Sequence, residues 1–293
     1  MRGGGTAGES LRVVARGILA DSRAAIEDNT RSGAAAVHDF RKGMKRWRAL
    51  LRLLEPYVGE PGRKLRLDAR DLARQLAGPR DAQSALDGLN DTLKHSAKFS
   101  RRSLHTLRDR IDELRKQAES NSLNPKKRSR MIGYVRRALR VVDRWPLGRI
   151  GFDDVAERLT QTYRRARGMI PEKWPDASAD DLHELRRRVI EHRHQIELVE
   201  PLWPRLGKVW VEEAQRLRDR LGRYQDLVVL TQMTAPHQPL APWRSKLAAP
   251  IAERQGVHLA VAARLSGRLF AERPKAFRRR LQAIWKAGAH RAD

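Results

Sequence analysis

An internal repeat restricts the fold of this 293-residue chain more than any other feature of its sequence. The segments 37–56 and 182–201 align without a gap, and His38 of the first corresponds to His183 of the second, 145 residues later. The same separation relates further similar residues, namely Arg41 with Arg186, Lys42 with Arg187, Arg48 with Arg193, Glu55 with Glu200 and Asp81 with Asp226. A constant register over this length predicts two copies of one helical unit.

Both copies show the residue spacing that is typical of helices. Apolar residues recur three or four positions apart, and no segment alternates between apolar and polar residues as a β-strand does. Leu, Ala, Arg, Glu and Lys are abundant, and these residues favour helix over sheet. The sequence therefore predicts an all-α protein with a four-helix bundle in each half.

Gly and Pro residues set the expected boundaries within the chain. They interrupt the helical pattern at 56–62 and 78–79, and the junction between the copies is placed at 146–151. The basic segment 120–128 is expected to be a loop. The predicted units are a flexible leader at 1–8, a first half at 9–150 and a second half at 151–290.

The chain carries a large positive charge. It contains 61 Lys and Arg residues against 35 Asp and Glu residues, a formal net charge of +26. Such an excess indicates an anionic partner, which on charge alone is nucleic acid, inorganic polyphosphate or an anionic membrane surface. The absence of Cys excludes disulfides, thiol catalysis and thiolate metal sites. No apolar segment is long enough for a signal peptide or a membrane span, so we expect a cytoplasmic protein.

The segment 37–56 divides into two faces when it is placed on a helix at about 100° per residue. One face is apolar and consists of Phe40, Met44, Trp47, Leu50, Leu51 and Leu54. The adjacent arc contains no acid and consists of His38, Arg41, Lys42, Lys45, Arg48 and Arg52. Cations three or four residues apart rise by roughly 4.5–6 Å along a helix, which suits a linear chain of phosphates. We predict that this cationic arc binds a polyanion.

The second copy provides a similar but less basic set of candidate ligands. They are His183, Arg186, Arg187, Arg193 and His194. Three positions have lost a cation, since Ile190 replaces Lys45, Glu191 replaces Arg46 and Glu197 replaces Arg52. We therefore expect the first copy to contribute more of the affinity. A secondary set of cations lies outside the repeated motif and consists of Arg66, Arg70, Arg137 and Arg140.

Two simpler interpretations compete with ligand binding. A stripe of charge on a helix is often only the solvated face of that helix, and a His is often a capping or packing residue. Two observations favour a binding site: the arc of the first copy contains no acid, and the same positions recur in the second copy. Repulsion within such a stripe costs on the order of a few tenths of a kcal/mol per neighbouring pair, so its repetition indicates a functional gain.

Sequence signatures of catalysis are missing from the chain. It contains no Gly-x-x-x-x-Gly-Lys-[Ser/Thr] loop, no His-Glu-x-x-His and no Gly-x-Ser-x-Gly. No cluster of acids accompanies the cationic arc to hold the Mg²⁺ that phosphoryl transfer uses. His192 and His194 point apart on a helix and do not form a metal site. We therefore expect neither enzymatic activity nor a metal or other cofactor.

The two histidine motifs resemble the conserved histidine α-helical domain, usually called CHAD. The resemblance rests on Val37-His-Asp-Phe-Arg-Lys42 with Trp47-Arg48 and on Leu182-His-Glu-Leu-Arg-Arg187 with Arg193, and it extends from about Glu9 to Trp285. It implies two antiparallel four-helix bundles related by a pseudo-twofold axis, with a basic groove between them that binds long-chain inorganic polyphosphate. Family members are linked to polyphosphate granules. Some carry a CYTH-class triphosphatase domain, whose Glu-x-Glu-x-Lys motif does not occur in this chain, so a stand-alone CHAD protein is implied.

Binding of long-chain polyphosphate without catalysis is therefore the leading hypothesis, with a cytoplasmic location at polyphosphate granules. Nucleic-acid binding is the alternative, because both polyanions would show the same dependence on charge and salt. Base recognition requires aromatic or groove-reading side chains, and few aromatic residues accompany the arc. An enzyme that acts on phosphate polymers is a third and less favoured hypothesis. The sequence carries no prediction of the oligomeric state.

Overall fold

A computed structural model of the protein describes residues 6–28, 30–76, 80–95, 101–119 and 124–289. These ranges contain ten α-helices and no β-strand, so the prediction of an all-α protein is confirmed. The helices are α1 (Ala7–Glu27), α2 (Gly33–Gln75), α3 (Arg80–Leu93), α4 (Arg101–Glu119), α5 (Pro125–Val142), α6 (Phe152–Arg167), α7 (Ala179–Ile196), α8 (Pro204–Met233), α9 (Arg244–Leu269) and α10 (Pro274–Ala289). Within the described ranges, none of them is both long and apolar enough to cross a membrane.

Each predicted half contains five of the described helices rather than four. In the first half α1 packs on α2 and α5, and in the second half α6 packs on α7 and α10. Two helices rather than one precede the last helix of each half, namely α3 and α4 before α5, and α8 and α9 before α10. Each half therefore contains one described helix more than the predicted four-helix bundle. α3 also packs along α8 and α9, which lie in the other half.

The predicted break after residue 55 is present as a kink inside α2 rather than as a loop. Gly59 has φ 59° and ψ −149°, a left-handed conformation that favours Gly because it has no Cβ. Pro56 has no N–H to donate to the carbonyl of Arg52 four residues earlier. Arg158 of α6 donates to that carbonyl instead, at 3.3 Å. The helix therefore tolerates Pro56, and the chain changes direction at Gly59.

Two helices begin earlier than the sequence pattern predicts. α1 begins at Ala7, and the Thr6 hydroxyl caps it by accepting a hydrogen bond from the Glu9 N–H at 3.3 Å. The last two residues of the expected leader are therefore helical, and residues 1–5 lie outside the described ranges. α5 begins at Pro125, and the Asn124 side chain caps it by accepting from the Lys127 N–H at 2.8 Å. The expected loop at 120–128 is thus wrong from residue 125 onward, and 120–123 are not described.

The predicted apolar face of α2 lies in the hydrophobic core, and all six of its side chains are at most 1% exposed. Within this core Trp47 Nε1 donates to the Tyr134 hydroxyl at 2.7 Å. The same hydroxyl donates to the carbonyl of Leu65 at 2.8 Å. These two bonds satisfy the polar atoms of two buried aromatic side chains and connect both segments of α2 to α5. The prediction of this buried face is confirmed.

α2 and α7 lie side by side in antiparallel directions. Three contacts join them: Arg46 to Glu197 at 4.0 Å, Gln195 Nε2 to the carbonyl of Ala49 at 3.0 Å, and Arg52 to Glu191. Residue numbers rise along α2 while they fall along α7, which defines the antiparallel arrangement. The packing of these two helices brings the basic residues of the two repeated segments next to each other.

A buried polar cluster joins α3 to α8 and α9. The Asp91 carboxylate accepts hydrogen bonds from Nε and Nη2 of Arg254, both at 3.1 Å, and from Nε2 of His258 at 2.8 Å. On its other side His258 has Nδ1 3.4 Å from Nη1 of Arg220. Burial alone would raise the pKa of Asp91, but the bonds from Arg254 and His258 outweigh it and hold that pKa at about 2. The cluster therefore contains a fully charged carboxylate that fixes α3 on the second half.

Substituting Asp91 by Asn should destabilise the protein, because the buried Arg254 then loses its counter-charge. We expect the free energy of unfolding to fall by about 3 kcal/mol, as measured by urea denaturation followed by circular dichroism. Asp87→Asn on the exposed surface of the same helix is the matched control, with an expected change within about 0.5 kcal/mol. Equal stability of the two variants would contradict a locking role for Asp91.

The same cluster predicts a dependence of stability on pH. The folded-state pKa of Asp91, about 2, lies below its ordinary value of 3.8, so the carboxylate stabilises the fold fully above about pH 4. This contribution is lost as the pH falls from about 4 to 2. Unfolding curves recorded across that interval should show a steeper loss of stability for the unmodified protein than for Asp91→Asn.

Candidate anion-binding site

A cavity of about 360 Å³ lies between α2 and α7, and we call it the α2–α7 cavity. Eight cationic side chains line it, namely Arg41, Lys45, Arg48, Arg52, Arg70, Arg74, Arg186 and Arg187. The remaining lining residues are His183, Glu191, Met44, Ala49, Ala73 and Ile190. Like charges gathered around so small a volume repel one another. The guanidinium groups offer planar pairs of donors that match the oxygens of phosphate, so the lining is suited to bind an anion.

Arg48 is the cation in which the effect of this crowding is clearest. Its Nε is buried and has no hydrogen-bond partner within the described part of the chain. Burial lowers the pKa of Arg48 to about 10, and the neighbouring positive charges add to the effect. Those charges belong to Arg52, Arg187, Arg66 and Arg70. Arg48 still carries its charge at neutral pH, so a bound anion would supply both an acceptor and the missing opposite charge.

The kink at Gly59 brings two further cations to the cavity. Beyond it the chain reverses direction, so that Arg66 pairs with Glu55 at 3.3 Å. Arg70 and Arg74 follow one and two turns later and line the cavity. In the sequence Arg70 belongs only to the secondary set of predicted ligands, and Arg74 belongs to neither set. The helical spacing of these residues was visible in the sequence, but the direction of the chain after Gly59 was not.

Carboxylates pair with several of the lining cations. Arg70 contacts Asp71 at 2.8 Å, Arg187 contacts Glu184 at 2.5 Å, and Arg52 contacts Glu191. Asp71 and Glu184 lie outside the lining, whereas Glu191 is part of it. The side chain of Glu191 is only 6% exposed. Among the described lining residues Glu191 is thus the one acid, and it occupies the position at which the first copy has the cation Arg46.

Gly222 of α8 lies against the guanidinium of Arg186. A Cβ atom at this position would be 3.1 Å from Nη2 and 3.5 Å from Nε of Arg186. The guanidinium can therefore pack directly on the backbone of α8. The contribution of Gly222 could not be found from the repeated motif, because contact between α7 and α8 is a tertiary feature.

Four of the predicted ligands lie outside the cavity lining. His38 and Lys42 are exposed on α2. Arg193 and His194 of α7 lie against Glu197, with Arg193 Nη2 at 2.7 Å and His194 Nδ1 at 2.9 Å from its carboxylate. Burial lowers the pKa of His194, although the hydrogen bond to Glu197 opposes this shift. The His194 imidazole is therefore largely uncharged at neutral pH and offers little attraction for an anion.

Of the secondary set, Arg70 lines the cavity and the other three residues do not. Arg66 is held by its ion pair with Glu55. Arg137 lines a separate cavity of about 460 Å³ between α2 and α5, together with Asp68 and Asp71. Arg140 is exposed on α5. The predicted ligands that share the cavity are therefore Arg41, Lys45, Arg48 and Arg52 of the first copy and His183, Arg186 and Arg187 of the second.

A sequence profile of the CHAD domain matches residues 14–235, more than half of the chain. The chain therefore belongs to the CHAD family, and the family predicted from the two histidine motifs is confirmed. Among solved structures, it is similar to the CHAD domain from the plant Ricinus communis. The two share 19% sequence identity with a TM-score of 0.59, over 97% of this chain and 94% of that chain, which establishes a common fold. No curated protein matches the chain in sequence.

Substituting Gly222 by Ala should shift the Arg186 guanidinium by a few tenths of an ångström, because the added Cβ would lie 3.1 Å from its Nη2. We expect an affinity for tripolyphosphate about twofold to threefold lower, since a charge-assisted hydrogen bond is weakened, as measured by calorimetry. The free energy of unfolding should not fall, because Ala favours a helix by up to about 1 kcal/mol over Gly. Gly256→Ala on α9 is the matched control, since a Cβ there meets no atom within 4 Å. If both variants bind like the unmodified protein, Arg186 does not contribute to the site.

Proposed function

We propose that the protein binds long-chain inorganic polyphosphate in the α2–α7 cavity and does not convert it chemically. The observation that carries the proposal is the convergence of eight cationic side chains on one cavity, with a buried and unsatisfied Nε at Arg48 among them. A polymer with acceptor oxygens on every unit can satisfy several guanidinium groups at once. Membership in the CHAD family supports the same ligand, because the resemblance implies polyphosphate binding.

The arrangement of the cations favours a polymer over a compact anion. Arg41, Lys45, Arg48 and Arg52 follow one another along α2 at intervals of three or four residues. They extend over about 16 Å of helix axis, at 1.5 Å per residue. A long chain can contact the whole row, whereas a single phosphate can contact only a part of it. The affinity should therefore increase with chain length.

We further propose that the two halves are copies related by a pseudo-twofold axis between α2 and α7. At the separation of 145 residues, Glu191 corresponds to Arg46 and Glu197 corresponds to Arg52. The ion pairs Arg52–Glu191 and Arg46–Glu197 therefore join the same two positions with the halves exchanged. A two-fold axis generates reciprocal contacts of this kind. In this arrangement the cavity is part of a basic groove between the halves.

Nucleic acid is the competing ligand, because the net charge of +26 attracts any polyanion. Among the described residues, those that line the cavity include no aromatic side chain on which a base could stack. Phe40 and Trp47, the aromatic residues that lie next to cations of the arc in sequence, are fully buried in the core. These observations favour a ligand that consists of phosphate alone.

Single-stranded RNA added in competition should displace labelled polyphosphate only at a large excess. Stronger binding of RNA than of polyphosphate would make nucleic acid the favoured ligand instead.

Calorimetric titration with polyphosphate of two chain lengths tests the main proposal. We expect saturable binding that strengthens with chain length and weakens with added salt, because the bound polymer releases condensed cations. Equal affinity for short and long chains, or no saturable binding, would contradict the proposal. Free phosphate measured after incubation with Mg²⁺ or Mn²⁺ should stay at the level of a protein-free sample if the protein is not an enzyme.

Reversing three cations of the cavity should abolish binding. In the variant Arg41→Glu, Lys45→Glu, Arg48→Glu, the row on α2 becomes acidic, and we expect the affinity for long-chain polyphosphate to fall at least about a hundredfold. The matched control reverses Lys246, Arg264 and Arg268, which are exposed on α9, and changes the net charge by the same amount. A similar loss in both variants would show that diffuse charge rather than the cavity binds the polymer. Circular dichroism should show unchanged helix content in each.

A cytoplasmic role in directing the protein to polyphosphate granules, or in controlling access to them, is the cellular part of the proposal. A fluorescent fusion should then collect at granules, and the fusion with the three reversed cavity cations should not. Granule association of both fusions would indicate another recruiting surface.

A further inference from the structure

Glu191 places a negative charge inside a cavity that otherwise gathers positive charge. Its carboxylate contacts Nη1 of Arg52, and its Oε2 lies 3.4 Å from Nη1 of Arg188 on the same helix. The side chain is 6% exposed, so water replaces little of either contact. An acid in this place would repel an anion that enters the cavity, and it already occupies a donor that the anion could use.

Arg48 and Arg52 differ in how readily their guanidinium groups can bind an anion. Arg48 has a buried Nε without a hydrogen-bond partner in the described ranges. Arg52 lies one turn further along α2 and holds the Glu191 carboxylate. A carboxylate and a phosphate both present oxygens to the same guanidinium donors. An anion can therefore bind at Arg48 directly, whereas at Arg52 the Glu191 carboxylate already occupies Nη1 and competes for the guanidinium.

We infer that Glu191 is an internal competitor that weakens binding of the phosphate polymer by occupying Arg52. The inference rests on the proposed function. A polymer already held at Arg41, Lys45 and Arg48 presents its next phosphate to Arg52 at a high local concentration, which allows it to displace the carboxylate. Glu191 then keeps Arg188 as a partner, so the displaced charge is not left without a cation. The pair thus lowers the affinity of the site without removing a cation from it.

Glu197 provides the matched comparison. It directly follows α7 as the C-cap residue of that helix and pairs with a cation of α2, Arg46, at 4.0 Å. It is half-buried, and it lies outside the lining of the cavity. Substituting Glu191 or Glu197 by Gln changes the net charge by the same amount. A difference between the two variants therefore reports the position of the carboxylate rather than the total charge.

A double-mutant cycle with long-chain polyphosphate as the probe tests the inference by calorimetry at constant salt. Glu191→Gln should bind about tenfold more tightly than the unmodified protein, and Glu197→Gln should change the affinity less than about twofold. Arg52→Gln alone should weaken binding less than Arg48→Gln does, because the Glu191 carboxylate already occupies Nη1 of Arg52. In the Glu191→Gln background the same substitution should cancel the gain of about tenfold. Arg48→Gln serves as the reference, with an expected loss of about tenfold or more.

Several results would overturn the inference. No saturable binding by the unmodified protein would remove the proposed function and the inference together. Binding by the unmodified protein with equal affinities for Glu191→Gln and Glu197→Gln would leave the proposed function in place and show that Glu191 does not compete. Weaker binding by Glu191→Gln would show that the ion pair orders the site instead. If Glu191→Gln does not fold, the two single variants Arg52→Gln and Arg48→Gln provide the test. An equal loss of affinity in these two variants would contradict the inference that Glu191 already occupies Arg52.

Discussion

Repulsion among the guanidinium groups of the α2–α7 cavity is the constraint on which the rest of the structure depends. The apolar face of the same helix offsets it, because side chains such as Trp47 and Leu51 are fully buried and each stabilises the fold by about 1.5–3 kcal/mol. Like charges on an exposed helix cost only on the order of a few tenths of a kcal/mol per pair. Burial makes the repulsion larger at Arg48, whose pKa is lowered to about 10. The core therefore holds together cations that would separate on their own.

The first part of the site could be predicted because it depends on one helix. Helical periodicity fixes which residues of 37–56 face the core, and this in turn places Arg41, Lys45 and Arg48 on a neighbouring face. The cations that follow the kink depend on a different kind of information. Arg74 reaches the cavity only because Gly59 adopts a left-handed conformation that turns the chain back on itself. A Gly between two Pro residues predicts a break in the helix, but it does not specify the direction of the next segment.

The contacts made by the charged residues of the second copy could not be predicted from its sequence alone. From the sequence, Glu191 and Glu197 indicated a weaker binding surface, because each replaces a cation of the first copy. In the structure both carboxylates lie across the helix pair from cations of α2, Arg52 and Arg46. Glu197 also draws Arg193 and His194 toward itself and away from the cavity. The pairing of α2 with α7 decides these contacts, and neither segment contains that information alone.

The proposed two-fold arrangement gives a physical reason for the asymmetry. Two identical copies of the first segment would place Arg46 against Arg52 on both sides of the axis, and both contacts would be repulsive. Acids at these two positions in one copy turn both contacts into ion pairs. The two copies then have different sequences, which is possible for two halves of one chain but not for two identical chains. Both ion pairs join α2 to the α7 segment, but of the two only Arg52–Glu191 lies in the cavity. Glu191 thus stabilises the contact between α2 and α7 and also places a carboxylate where a phosphate would bind. The affinity of the cavity for an anion is therefore coupled to the packing of these two helices.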